Sequence, residues 1–194
     1  SAFNSLAAGL GRAARRTIES DVYALVNTPG NYSDGTALFH ANHGNLAAAG
    51  AAPSVAAFDA VRTAMASQKD VSGNDYLDIQ PSIWLGPIGL KGDADVINQS
   101  KYDPDASNKL ERVNKALGIF SRTIGSPRLT GTAWYAFCDP QIAPALEVAF
   151  LDGNQEPYLE NEMGFQVDGT RWKVRHDYGV AWVEYKSAYR NPGA

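Results

Sequence analysis

The chain has 194 residues, 44% hydrophobic and 20% charged, the balance of an ordinary globular protein long enough for one large domain or two small ones. A net charge of −4 excludes a basic nucleic-acid-binding surface over the whole molecule, and a single cysteine, Cys138, excludes an intrachain disulfide. No apolar run approaches the roughly 18 residues of a membrane span, and residues 1–20 lack the apolar stretch of a secretory signal.

Phe3, Leu6, Ala7, Leu10, Ala14, Ile18, Val22 and Leu25 recur at spacings of three and four and predict an amphipathic helix over residues 3–26. Arg12, Arg15, Arg16 and Glu19 fall between them, and Gly9 and Gly11 each weaken the helix by about 1 kcal/mol. Residues 27–35, NTPGNYSDG, end it, since Pro29 and Gly30 cannot continue the pattern. A second helix is predicted from about Ser54 to Gln68, with Ser54 as N-cap and Val55, Phe58, Val61 and Met65 as its apolar stripe.

After residue 76 the period changes. Leu77, Ile79, Ile83 and Leu85 alternate, broken by Pro81 and closed by Pro87, and predict a strand entering a turn. Short helices are expected around 92–99 and 107–116, and strands in GIFSRTIGSPRL and TAWYAF. The last fifty or so residues are rich in strands: ALEVAFLDG is one, and residues 164–190 contain two or three more, with Asp168–Gly169 as a hairpin turn. Val180, Trp182 and Glu184 face one way and Ala181, Val183 and Tyr185 the other. Both faces are largely apolar, so this strand is expected to be well covered. The order of helix, helix, mixed middle and antiparallel strands is that of an α+β protein, in which the first helices and last strands pack together and the middle forms an inserted lobe.

The chemistry available is narrow. His40 and His43 in LFHANHGNL, with His176 or Asp177, are the only candidates for a metal site, and zinc needs three or four such ligands in fixed geometry. The motif lacks the glutamate of an HExxH helix, and Asn42 and Gly44 favour a turn, so the two histidines read as groups that cap or bridge loop backbone. There is no GxSxG elbow, and Gly125-Ser126-Pro127 reads as a turn. GLGRA at 9–13 lies inside the first helix rather than after a strand, which defeats a phosphate-cradling role. Asp93 with Asp95, and Glu160 with Glu162, read as solvated faces, and Cys138 in an apolar run reads as a buried, inert thiol. No catalytic, cofactor-binding or metal-ligating residue is therefore assigned, and no cofactor is expected. The four tryptophans and nine tyrosines exceed the needs of a small pocket and suit protein–protein contacts.

DGTALFHANHGNL, TAWYAFCDP, EVAFLDGNQEPYLENEMGFQVDG and KVRHDYGVAWVEYKSAYRNPG, in that order, resemble tailed-phage and prophage major capsid proteins. The resemblance is to Mu-like major head subunits and to the capsid half of prohead protease–capsid fusions, and it runs over nearly the whole chain. It implies the Hong Kong 97-type fold. Residues 1–78 would be the helical part of the peripheral (P) domain, with the spine helix at 3–26 and a second helix at 54–70. Residues 79–143 would be the axial (A) domain, and 144–194 the strand part of the P domain. Family members carry an N-terminal arm and an extended loop (E-loop) before the spine helix. This sequence starts almost at that helix, so a shortened subunit lacking both is expected.

The function implied is that of a non-enzymatic structural subunit. It would self-assemble through pentamers and hexamers into an icosahedral shell enclosing DNA, located in the virion and, before and during assembly, in the bacterial host cytoplasm. Loops near 88–116 would meet at the five- and sixfold axes, while residues 3–26 and 145–190 would face neighbours at local threefolds. Implied partners are other copies of the chain, a prohead protease or scaffold, a portal, and packaged DNA held weakly and without sequence preference, with no membrane. The rival readings are a metal-dependent hydrolase using His40, His43 and His176, and a phage accessory protein of the decoration or tail type.

Overall fold

A computed structural model of the chain describes residues 2–106, 112–163 and 170–194. In chain order its elements are α1 (Ala2–Asn27), α2 (Val55–Ala66), β1 (Ile83–Pro87), α3 (Lys91–Gln99), β2 (Arg122–Ser126), β3 (Trp134–Phe137), β4 (Leu146–Phe150), β5 (Tyr158–Met163), β6 (Thr170–Arg175), β7 (Tyr178–Trp182) and β8 (Ala188–Asn191), with short 3-10 turns between some of them. The mixture of helices and strands is the α+β class expected. The contacts divide the chain into two units: Ser1–Val26 with Glu147–Ala181, called here the helix–ribbon unit, and Asn27–Leu146 with Trp182–Ala194, the core unit.

The core unit is built on a four-stranded sheet of order β2-β1-β3-β8. β1 runs parallel to β2, and the connection between them carries α3, as a parallel pair requires. β3 lies antiparallel to both β1 and β8, with Trp84 opposite Ala136 and Ala136 opposite Tyr189. α2 starts where Ser54 predicts: its side-chain oxygen accepts the Ala57 N–H at 3.1 Å. Val55, Phe58, Val61 and Met65 then fall on one helix face and are buried together with Trp84, Trp134 and Phe120. Phe58 meets Phe120 edge-on at 4.9 Å and leans on Trp134 at 5.7 Å. Trp134 also donates its indole N–H to the Ala51 carbonyl at 2.9 Å. Gly86 leaves room for the neighbouring indole, since a Cβ there would lie 2.4 Å from Trp84.

Buried asparagines finish this unit. Asn98 donates to the Phe120 carbonyl at 2.8 Å and accepts the Phe120 N–H at 2.9 Å, imitating a strand neighbour. Asn114 donates to the carbonyls of Ile97 and Ser100 and accepts the Ala116 N–H. The helix expected at 107–116 is not formed over residues 112–116: the Arg112 carbonyl accepts the Asp103 N–H at 2.8 Å and the Asn114 N–H donates to the Lys101 carbonyl at 3.1 Å, so this backbone pairs with residues 101–103 instead of with itself. Residues 107–111 lie outside those described. The strand expected from residue 77 begins only at Ile83: Asp78 turns the chain at φ 46°, and Pro81 has no N–H to offer a neighbour.

In the helix–ribbon unit, α1 runs 26 residues without a break, so Gly9 and Gly11 lower its intrinsic propensity without ending it. Leu10, Ala14, Ile18, Val22 and Leu25 are half-buried, while Arg12, Arg15 and Arg16 are exposed. Two ribbons accompany it, β4 with β7 and β5 with β6. β5 and β6 pair antiparallel from Tyr158↔Arg175 to Met163↔Thr170, and Glu160 meets Lys173 across the ribbon at 3.6 Å. The Asp168–Gly169 turn lies outside the described residues. The Tyr178 hydroxyl donates to the Asp21 carboxylate, tying β7 to α1. The strand expected to be covered on both faces is not: Tyr178, Val180 and Trp182 are half-buried and Gly179 and Ala181 exposed, because a two-stranded ribbon has only one face to bury.

Candidate functional site

The LFHANHGNL segment forms a tight knot inside the core unit. His40 caps a 3-10 turn by accepting the Asn42 N–H on its Nδ1 at 3.1 Å, and Gly44 closes the turn at φ 64°. Asn45, wholly buried, accepts the His40 N–H and donates to the carbonyls of Leu38 and Tyr185. The backbone on either side of it joins the sheet, through Ala47 N–H to Arg190 O at 3.0 Å and Arg190 N–H to Asn45 O at 2.9 Å.

His43 is the centre of this knot. Its ring is buried and stacks on Tyr185 at 4.1 Å, while Nδ1 lies 2.9 Å from the Leu38 carbonyl and Nε2 2.9 Å from the Asp34 carboxylate. A carbonyl and an ionised carboxylate can only accept, so this arrangement favours the imidazolium, in which both ring nitrogens donate. Burial works against that charge, but the Asp34 carboxylate and then the Leu38 carbonyl outweigh it and push the pKa above the ordinary imidazole value. The same bond from His43 holds the Asp34 carboxyl below the usual carboxylate range. Both ring nitrogens of His43 are thus already engaged, by the Leu38 carbonyl and the Asp34 carboxylate. Asp34 and Tyr185 were not named as site residues: Asp34 lay in the NTPGNYSDG segment that ends the first helix, and Tyr185 in the alternation of residues 180–185.

His176 sits in the other unit. It stacks on Phe150 at 5.4 Å and leans on Tyr178 at 5.5 Å, and both of its ring nitrogens are shielded without a partner among the described residues. It borders a cleft of about 360 Å³ whose walls include Asp152, Glu156, Tyr158, Arg175 and Asp177. Among the described residues, no three His, Cys, Asp or Glu side chains come together as a group that could hold a metal ion.

The other residues raised by sequence have structural duties. Asp95 accepts from Lys91 at 2.5 Å and from the Thr123 hydroxyl, which together hold its carboxyl below the usual range, while Asp93 is exposed. Ser126 is buried, and its hydroxyl accepts the Arg128 N–H at 3.2 Å. Cys138 is buried, and burial pushes its thiol up, away from the reactive thiolate. The Glu162 side chain lies outside those described. No helix among the described residues is long and apolar enough to cross a membrane.

The described residues form a packed unit and a unit of one long helix with two ribbons. A family model described as phage capsid protein matches residues 1–191. The chain belongs to the phage capsid protein family. It is a structural subunit of a bacteriophage head, and its place is the virion. No curated protein and no solved structure matches it. The family is one of proteins whose work is self-assembly into a shell, and nothing in the arrangement of His40, His43 and His176 favours a hydrolase.

Proposed function

We propose that this phage capsid subunit is a major head protein of the Hong Kong 97 type, of the Mu-like kind found in prohead protease–capsid fusions, and that it has no enzymatic activity. The observation that carries the reading is the grouping of α1 with the ribbons of residues 147–181, separated in sequence by the whole of the core unit's first segment. A spine helix and returning strands flanking an inserted lobe is the order that fold requires. The long helix also weighs against a decoration or tail protein.

In this reading residues 79–143 belong to the axial lobe, whose core is completed by α2 and β8, and the peripheral parts are drawn from 1–78 and 144–194. Loops near 88–116 meet at the five- and sixfold axes of pentamers and hexamers, with a prohead protease or scaffold and a portal as further partners. Packaged DNA is touched weakly, as suits a net charge of −4. Assembly takes place in the host cytoplasm. Electron microscopy of particles purified from cells expressing the protein tests this. Closed shells in which a long helix flanks an inserted lobe are expected. Open tubes, or attachment only to the outside of another protein's shell, would overturn it.

A further inference from the structure

The helix–ribbon unit carries two surfaces of opposite charge that do not meet within one copy. On α1, Arg12, Arg15 and Arg16 are three and four residues apart, share one face opposite the apolar stripe, and are exposed. Between Glu147 and Glu160 the chain carries four carboxylates, Glu147, Asp152, Glu156 and Glu160, and no lysine or arginine. Of these seven residues only Glu160 enters an ion pair among the described residues, with Lys173. The cleft at 151–158 and 175–177 gathers Asp152, Glu156 and Asp177 against Arg175, whose guanidinium lies 3.5 Å from Asp177 and 5.8 Å over the Tyr158 ring.

Two further observations point to an occupant. His176, at the cleft wall, has both ring nitrogens shielded and without a hydrogen-bond partner among the described residues. Among the unit's residues whose side chains are described, Val26 alone is a buried hydrophobic, and a two-stranded ribbon by itself is only marginally stable in water.

Resting on the capsid reading above, we infer that the cleft of one copy receives the Arg12–Arg15–Arg16 face of the long helix of a second copy. Guanidinium groups suit it: they pair with the Asp152 and Glu156 carboxylates and stack on the exposed Tyr158 ring. A contact that joins different surfaces of two copies propagates from subunit to subunit, which a shell requires.

The test is sedimentation velocity at low and high salt on four samples: the unaltered chain, R12E/R15E/R16E, D152K/E156K, and an equimolar mixture of the two variants. Circular dichroism checks that each variant keeps its helix content. The unaltered chain is expected to self-associate, less so at high salt. Each variant alone loses on the order of tenfold or more in association constant, and the mixture, in which reversed surfaces meet each other, recovers it. If the unaltered chain assembles and the variants assemble equally well, or the mixture fails to recover, this contact is wrong and the shell reading stands. If no sample associates at any concentration, both fall.

Discussion

The two units of this subunit solve the problem of stability in opposite ways. The core unit encloses Trp84, Trp134 and Phe58 completely and spends buried asparagines to satisfy its loop backbone. The helix–ribbon unit half-covers an apolar stripe on α1 and one face of a two-stranded ribbon. The difference teaches where each expects its partners. The core unit finds them within its own chain. The helix–ribbon unit leaves apolar and charged surface for contacts that a single copy does not supply.

The sharpest way to break this contrast is to cut one large side chain from each unit. Trp134→Ala is expected to cost about 3–5 kcal/mol in denaturant unfolding, because a cavity opens at a fully buried site and the Ala51 carbonyl loses its donor. Ile18→Ala, at a half-buried position, is expected to cost only about 1 kcal/mol in the isolated chain. Equal losses would mean that the two units are equally packed. Next in size is Asn98→Ala, which orphans both backbone groups of Phe120 and is expected to cost roughly 2–4 kcal/mol by the same measurement. Ser54→Ala removes the α2 cap for about 1 kcal/mol.

The histidines sharpen the comparison through pH. The pKa of His43 is raised, so its contribution is present in full below the unfolded imidazole value and is lost as pH rises through the higher folded value. That of Asp34 is lowered, so its contribution is present above the unfolded carboxylate value and is lost as pH falls through the lower folded one. Core-unit stability, followed by thermal unfolding, should therefore be greatest between those two ordinary values and decline on both sides. Asp34→Asn and His43→Gln should flatten the profile. The smallest effect expected is from His176→Phe. It removes two unpartnered nitrogens from an aromatic stack, so the isolated chain should gain up to about 1 kcal/mol, read from the same unfolding curves.

What the sequence revealed and what it hid divide along a physical line. α1, the Ser54 cap, α2 and α3 were legible because helix periodicity and capping are local. β2, β3, β4 and β6 were legible as runs of β-branched and aromatic residues, whereas β5 at Tyr158–Met163 lies ahead of the residues 164–190 in which further strands were expected. The parallel pairing of β1 with β2 was not legible, because register between distant segments leaves no local trace. Residues 112–116 misled because their backbone pairs with residues 101–103, a contact that no spacing announces. Val180 to Trp182 misled because apolar composition on both faces suggests cover that a ribbon cannot give. At the histidines, the loop-fixing role followed from Asn42 and Gly44, whereas Asp34 and Tyr185 reach His43 only through the fold.

The strand β8 has a consequence for how the subunit is made. Its Ala188 and Tyr189 lie in the core beside β3, its Arg190 is gripped by the backbone around Asn45, and just beyond it Gly193 sits so close to Thr132 that a Cβ there would lie 2.1 Å from the Thr132 carbonyl oxygen. The sheet thus waits on residues 188–193, which a ribosome releases only after the long helix and both ribbons. A chain still being synthesised therefore carries the long helix and both ribbons before the core sheet gains β8. The order of synthesis thus runs against the order of packing: the half-covered unit has all its residues before the closely packed one receives β8.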